Sequence, residues 1–509
     1  GVGIVSIKNA STGSVTDFDG NYEIKAAMNS VLVFSHVGFS TQKVVVTSNV
    51  INVTLIAGES LNEVVITALG IKKERKSLGY AVQAVQAEDL LEGNQSSMVN
   101  GLQGKVSGVT IVNSGGSPGS SAIIMIRGGS SITGNNQPLF IVDGLPIDNS
   151  TSSSLEVASS NRASDINPDD IESISVLKGP AAAALYGIQA AEGAVIITTK
   201  KGKAGASVVT YSGSVSVDHI LGTPNVQTLY GQGKQTVTTT GTTIDTDSPL
   251  SWGNSTAGAP IFNNIDDFFE TAITTNHTVS YSGGSEKSSV YFSIGDISQE
   301  GAIESTSYDK TSFRINASSE INKNLTVGMS ANYITTKTNS TKQGNVSGSS
   351  FLSLLGYPAN VNVTDYLNAD KSQQSYFLDQ QFDNPYWSIE NSPNTDEVNR
   401  LMGVVNLNYK FLENFNFTYK LGIDNYTQFN KKITGDGSLA ENREDGYISQ
   451  FESDHKILNS NLMLSFQKNI TDNFSVDAMV GNAVEELDRR TTYTKGDGFQ
   501  APGIYSIGN

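Results

Sequence analysis

The sequence predicts a mainly β fold in three parts: a small N-terminal β-sandwich, a small α/β domain and the first strands of a large transmembrane antiparallel β-barrel. Three observations carry this. Short β-branched runs broken by turn clusters fill residues 1–57, one strand–helix–strand unit is packed into Val176 to Lys203, and from about residue 207 long segments alternate apolar with polar side chains. At 509 residues the chain exceeds what one hydrophobic core organises, and 16% charged residues with 49 glycines suit strands and turns better than helical bundles.

The formal net charge of −17 argues against nucleic-acid binding, which needs a basic face. With no cysteine there is neither a disulfide framework nor a thiolate metal site. No apolar run is long enough for a membrane helix, which leaves a barrel open, because barrel strands alternate and escape hydropathy windows. The sequence begins on apolar residues without a basic leader, so a trimmed start is expected.

In order along the chain, the runs GVGIVSIKN, YEIKAA, VLVFSHVGF, QKVVVTS and INVTLIA make the sandwich, with a boundary near residue 58. Asp17, Asp19 and Asn21 are spaced like the start of a calcium loop, but Gly20 comes too early and no glutamate closes it, so a turn is expected. Residues 59–70 hold the apolar segment LNEVVITALG, which by itself reads as an edge strand or linker.

Residues 71–205 form the α/β domain. Gly179-Pro180 starts a short Ala-rich helix with proline at its first position, Gly187 stops it, and Val195 to Thr199 is a β-branched strand. Gly115 to Gly119 fits the G-x-S-x-G spacing of a hydrolase nucleophile, yet Pro118 follows the serine directly and no acid–base partner is marked, so a polar turn is expected. Gly179 to Gly187 lacks the Lys-Ser/Thr pair of a phosphate loop.

Residues 206–509 alternate. Leu325, Val327, Met329, Ala331 and Tyr333 face away from Thr326, Gly328, Ser330 and Asn332, and the pattern repeats around Phe415 to Asp424 and Phe474 to Gly481. Nine strands are expected near 207–219, 276–283, 287–297, 311–320, 324–336, 401–411, 414–427, 456–468 and 473–488. Tight turns at GGSEK, INKN, LEN and KNITDN join every second pair and long connections join the rest, the parity of outer-membrane barrels. Polar residues such as Arg314, Asn316, Lys420, Asp424 and Asp477 are expected to face the lumen and their apolar neighbours lipid. Nine strands leave open edges that hydrocarbon does not tolerate, so the chain is expected to be the N-terminal portion of a longer polypeptide.

Four stretches, LNEVVITALGIKK from Leu61, IIMIRGGSSITGNNQPLFIVDGLPIDN from Ile123, INPDDIESISVLKG from Ile166 and VLKGPAAAALYGIQAAEGAVIITTKKGK from Val176, resemble the SusC/RagA-like TonB-dependent outer-membrane transporters. TDFDGNYEI resembles the hairpin of the carboxypeptidase-regulatory-like domain that precedes the plug in that family. The resemblance implies a plug domain at 71–205 and twenty-two barrel strands in the complete protein. It also gives Glu63, Val64, Val65, Ile66, Thr67 and Ala68 the role of a TonB box, an extended strand offered to a periplasmic partner by strand addition. Arg127, Gly128, Gly129, Asp143, Gly144, Lys178, Gly179, Pro180, Tyr186 and Gly187 match the family's plug motifs. Arg127 and Asp143 are expected to hold the plug in place by charge-assisted bonds rather than to touch cargo.

What the resemblance implies in function is TonB-dependent import of an oligosaccharide or oligopeptide nutrient across the outer membrane of a Gram-negative, Bacteroidota-like bacterium. The implied partners are a SusD-like surface lipoprotein, TonB with ExbB and ExbD, and outer-membrane lipid, with a dimer of transporter–lipoprotein pairs as a further expectation. The N-terminal domain and plug entrance would be periplasmic. Loops 220–275 and 337–400 would be external, with Tyr366, Tyr376, Phe377 and Asp379 available to dock the lipoprotein. A signal-transducing receptor and a surface adhesin are the alternatives. No enzyme activity, cofactor, metal or catalytic residue is expected, and the substrate-binding residues are not readable from the sequence.

Overall fold

The computed structural model describes residues 4–508 apart from 8–12, 18–19, 37–41, 56–63, 67–71, 75–81, 92, 94–96, 114–115, 121, 130, 133–135, 151–160, 204, 206, 345–347, 377–381, 441–442, 444, 472–473 and 502. The chain divides into two compact units, Gly1–Val82 and Gln83–Asn509.

In the first unit β1 (Ile4–Ile7), β2 (Gly13–Val15), β3 (Val31–Ser35) and β4 (Gln42–Val45) form an antiparallel sheet in the order β2-β1-β3-β4. Alternation along β3 buries Leu32 and Phe34, and Val5 and Val46 join them in a small core. The second layer of the expected sandwich is extended chain without a ladder: residues 21–27 and 51–55 cover the core with Tyr22, Ile24, Ile51, Val53 and Leu55. Tyr22 meets Phe34 edge-on at 5.3 Å and donates to the Ile51 carbonyl at 2.8 Å. The Asp17 carboxylate accepts from the Asn21 backbone N–H at 2.7 Å and side-chain amide at 3.0 Å, closing a turn at Gly20. Farther on, β5 (Val64–Ile66) pairs antiparallel with β6 (Lys72–Glu74), Val64 opposite Glu74.

The second unit opens with β7 (Val82–Gln86), α1 (Ala87–Leu91), α2 (Met98–Gly101), β8 (Val109–Asn113), β9 (Ala122–Ile126), β10 (Leu139–Val142), β11 (Leu145–Ile147), β12 (Ile171–Leu177), α3 (Pro180–Tyr186) and β13 (Ala194–Thr199). A mixed sheet runs β11-β10-β13-β12-β7, and β8 and β9 pair separately. Asp143 and Gly144, at φ 50° and 84°, make the two-residue turn between β10 and β11 that Asp-Gly favours. Gly179 and Gly187, at φ 67° and 76°, bracket α3, whose proline stands in the first turn. Strand β13 is buried along its whole length, so it opens on a continuous apolar run, Ala194 to Ile197, rather than on alternation. Ser117 lies in the turn region between β8 and β9, where its hydroxyl accepts from the Gln343 side chain.

The remaining chain supplies β14 (Val208–Asp218), β15 (Gly233–Thr238), β16 (Gly241–Asp245), β17 (Ser251–Trp252), β18 (Ala272–Gly284), β19 (Ser288–Glu300), β20 (Ser307–Asn322), β21 (Leu325–Ser340), α4 (Ser350–Gly356), α5 (Pro385–Asn391), β22 (Asn394–Phe411), β23 (Phe415–Thr434), β24 (Tyr447–Thr471) and β25 (Phe474–Asp497). Nine of them form one antiparallel sheet in sequence order, β14-β18-β19-β20-β21-β22-β23-β24-β25. These are the nine expected strands. Most run past the expected ends, β24 to 25 residues and β25 to 24. Beyond the apolar band both faces are polar, so the ladder continues where the alternation stops.

On one face of this sheet the register aligns apolar and aromatic side chains: Tyr281, Phe292, Ile315 and Ala331 are successive partners, as are Ile294, Phe313, Tyr333 and Leu401. Phe292, Ile294, Phe313, Ile315, Tyr333 and Leu401 are all exposed, an apolar area too continuous for a water-facing surface. Lipid is the solvent that suits it. Val327 and Leu421 belong to this face, Thr326 and Thr418 to the other. An arginine at Val327 or Leu421 should therefore cost ~2–4 kcal/mol at mid-bilayer and cut the yield of folded barrel in an outer-membrane assembly assay, while arginine at Thr326 or Thr418 is tolerated. The reverse preference would invert the assignment of the two faces.

The inner face is not uniformly polar, contrary to the simplest reading of the alternation. Ile334, Met402 and Val404 point inward and join the core of the α/β domain. The long connections also carry structure of their own: β15, β16 and β17 form a small sheet, and Phe268, Leu354, Tyr357, Val363, Tyr376 and Ile389 tie the first and third long connections into one apolar core. Tyr376, expected to be free to dock a partner, is instead buried there beside Tyr357, with its hydroxyl donating to the Pro249 carbonyl. Tyr366 is half-buried, stacks on Tyr386 and donates to Glu390 at 3.2 Å. Phe377 and Asp379 lie outside the described residues.

Candidate functional site: the seat of the α/β domain

The inner face of the sheet meets the α/β domain through three clusters of buried polar groups. At the first, the β10–β11 turn presents the Asp143 carboxylate to Arg314 on β20. Arg314 Nη2 lies 2.7 Å from Asp143 Oδ2 and also donates to Ser330 Oγ at 2.9 Å and to Thr199 Oγ1. Thr199, the last residue of β13, donates its hydroxyl to Asp143 Oδ2 at 2.6 Å and its amide to Oδ1 at 3.1 Å. Burial pushes the Asp143 carboxyl up, but Arg314, the two Thr199 bonds and Lys201 outweigh it, and the group is held below the usual carboxylate range. Lys420 reaches the same turn and donates to the Asp143 carbonyl at 3.4 Å. A Cβ on Gly144 would displace its ammonium, and the turn favours glycine for its positive φ.

The second cluster is centred on Arg400 of β22, which is fully buried. Its Nε and Nη2 grip Asp424 of β23 in a two-pronged pair at 2.8 and 2.7 Å. Nη1 reaches across to Asp165 Oδ2 at 2.9 Å and the Arg162 carbonyl at 2.6 Å, and Nη2 also donates to the Asp148 carbonyl at 3.0 Å. Asp424 in turn accepts from the Asp148 amide at 3.0 Å. Tyr426, whose ring lies 5.5 Å from the Arg400 guanidinium carbon, donates to Asp148 Oδ2 at 2.7 Å. The Asp148 carboxyl is raised by burial and lowered more by Ser150, Tyr426, His455 and Arg400, with a net downward shift.

The third cluster is the NPDD stretch before β12. Asp170 accepts from Tyr291 at 3.0 Å and Ser293 at 2.5 Å, both on β19, and Asp169 accepts from Thr278 at 3.2 Å. Burial dominates at Asp170 and raises its carboxyl, despite Arg314, Ser293 and Tyr291, and one of its oxygens has no hydrogen-bond partner. Lys310, also buried, donates to the Ser164 carbonyl at 3.3 Å.

Of the residues singled out in the sequence, Asp143, Arg314, Lys420 and Asp424 thus meet at this seat. Asn316 is buried on the same inner face, whereas Asp477, opposite Gln467 on the edge strand β25, is exposed. Arg127 stays exposed at φ 61° and makes no ion pair among the described residues. Lys178 binds Gln83 at 3.1 Å and the Ser107 carbonyl at 2.7 Å within the α/β domain. Burial and the nearby Arg127 lower its pKa. Tyr186 is half-buried, and Gly128 and Gly129 are exposed beside Arg127. Glu63, Thr67 and Ala68 lie outside the described residues, while Val64, Val65 and Ile66 form β5. Arg400, Asp165, Asp170 and Lys310 were not singled out. A signal existed for Arg400: it lies one step before a predicted strand and in phase with inward Met402 and Val404.

The family described as the TonB-dependent receptor plug domain matches residues 74–194, and that described as the CarboxypepD_reg-like domain matches residues 2–66. TonB-dependent receptor SusC of Bacteroides thetaiotaomicron is 28% identical over 520 residues, covering 98% of this chain and 50% of that protein. The chain belongs with the SusC/RagA-like TonB-dependent receptors. A TonB-dependent receptor of Formosa agariphila is 32% identical over 369 residues, covering 72% of this chain and 34% of the relative. Among solved structures, the RagAB peptide importer in its open-open state superposes with a TM-score of 0.66 at 22% identity, over 88% of this chain and 51% of that one. The chain spans about half the length of the curated relatives it matches. SusC/RagA-like receptors are outer-membrane β-barrel proteins, which identifies the lipid that the apolar face requires, and the α/β domain is their plug.

Proposed function

We propose that this chain is the plug and first barrel strands of a TonB-dependent importer that carries an oligosaccharide or oligopeptide across the outer membrane. In this reading residues 1–58 are the periplasmic accessory domain, 59–70 the TonB-box segment, 71–205 the plug and 206–509 the barrel portion. A SusD-like lipoprotein covers the external mouth, where connections 220–275 and 337–400 lie, and TonB with ExbB and ExbD pulls on Glu63 to Ala68 from the other side. No chemistry on the cargo is involved.

The observation that carries this reading is the polar seat. Among the described residues plug and wall are joined chiefly by buried charges and hydroxyls, with apolar packing at fewer places, such as Ile334, Met402 and Val404. Buried ion pairs add little net stability over water-solvated ions, since the desolvation cost offsets the Coulomb gain. Such a joint holds its register tightly yet can be parted when water re-solvates each group, as a plug that opens and reseats requires. Uptake of labelled cargo by cells making the complete protein should stop when a protonophore collapses the inner-membrane gradient, while cargo still binds the cell surface. Uptake that continues without the gradient would refute energised import.

A further inference from the structure

One cavity of the second unit belongs to none of the three clusters. It has a volume of 420 Å³ and is lined by Ser117 and Pro118 of the plug together with side chains from three long connections, all at the same end of the sheet. Gly301 shows how closely the plug turn fits there, because a Cβ on it would come within 2.9 Å of Pro118. Phe269, Ile303, Phe351 and Leu355 make most of the wall.

Against that wall stands one cation. Lys342 lines the cavity, is only 7% exposed, and has no ion pair or hydrogen bond among the described residues. Its stem packs on Gly348, held at φ 85°, where a Cβ would press on the stem at 3.3 Å. An ammonium on a largely buried lysine, open to the cavity and with no counter-charge beside it among the described residues, favours an anion that enters there. The apolar wall selects the rest of the ligand. Sugar hydroxyls would lose water there without enough donors and acceptors to replace it, whereas aliphatic or aromatic groups lose nothing. A dry cavity of about 150 Å³ accommodates benzene, so this one holds two or three groups of that size.

We propose that this cavity binds cargo that joins a carboxylate to apolar side chains, such as the C-terminal end of a short apolar peptide, with Lys342 pairing the carboxylate. The proposal rests on the import reading and narrows its cargo away from neutral glycans. Calorimetric titration of the complete protein in detergent tests it with N-acetyl-dileucine, the corresponding C-terminal amide, octanoate and maltotriose. The acid should bind about tenfold or more tighter than the amide. Lys342→Met should erase that difference and Lys342→Arg retain it, and maltotriose should give no heat. Octanoate competing with the peptide acid would assign the carboxylate to lipid as well as peptide sources, and octanoate failing to compete would assign it to peptides. Equal binding of acid and amide by the wild-type protein would overturn the proposal even if Lys342→Met failed to fold, and so would maltotriose binding unaffected by that change. The titration needs no TonB and no gradient, so a protein that binds the acid through Lys342 but does not take it up would refute import and leave the cavity assignment standing.

Discussion

Replacing Arg400 with methionine should unseat the plug. The change leaves Asp424 and Asp165, both buried, without the guanidinium that spans them, and strands the Asp148 and Arg162 carbonyls. Removing one partner of a buried pair costs about 3–5 kcal/mol, because the remaining charge stays desolvated and uncompensated. With the plug weakened by that amount, cells making the complete protein should become sensitive to large antibiotics that the outer membrane normally excludes, and the plug should be cut faster by protease in isolated membranes. A second substitution separates stability from function. Arg400→Met combined with Asp424→Leu replaces the barrel's own pair by apolar groups of similar volume, which is often neutral or stabilising. That double variant should recover part of the protease resistance but not full uptake, since an apolar joint gains nothing from water when it is pulled apart. Antibiotic exclusion and uptake that both remain at wild-type level in Arg400→Met would show that the cluster neither seats nor releases the plug.

The limits of the sequence reading follow from what each signal measures. Period-two alternation located all nine strands and put Val327 and Leu421 on the lipid side, because there one face meets hydrocarbon and the other does not. It went silent at the strand ends, as in Thr491 to Asp497 of β25, where both faces are polar although the ladder continues. It also mis-stated the lumen near Ile334, Met402 and Val404, since a lumen filled by a folded domain has apolar patches that an open channel would lack. The helix at Pro180–Tyr186 was legible from proline and glycine alone, because those residues act through local backbone geometry. The seat was half legible. Arg314, Lys420 and Asp424 could be assigned to the inner face strand by strand, but their partners Asp143 and Asp148 stand between 171 and 277 positions away and only the fold brings them together. Tyr376 shows the opposite failure: in a polar connection a tyrosine looks free, and here the connection has a core of its own.

Deleting Glu63 to Ala68 should abolish uptake and leave surface binding of cargo intact. Val64, Val65 and Ile66 are already extended and hold only a three-residue ladder with Lys72–Glu74. A two-stranded hairpin is marginal in water even at greater length, so an incoming strand meets little resistance if it replaces β6 or adds to the other edge of β5. Both routes use the same backbone donors and acceptors. Proline at Val65 removes one N–H from that short row and stiffens the chain, so Val65→Pro should lower uptake nearly as far as the deletion, while Val65→Thr, which keeps the backbone and its β preference, should not. Binding of cargo at the surface provides the control, since among the described residues neither the plug core nor the seat clusters include Val64, Val65 or Ile66. Wild-type uptake after the deletion would remove the segment from the mechanism. Loss of surface binding together with uptake would show instead that the segment supports folding, and the proline variant would then have to be read from uptake normalised to bound cargo.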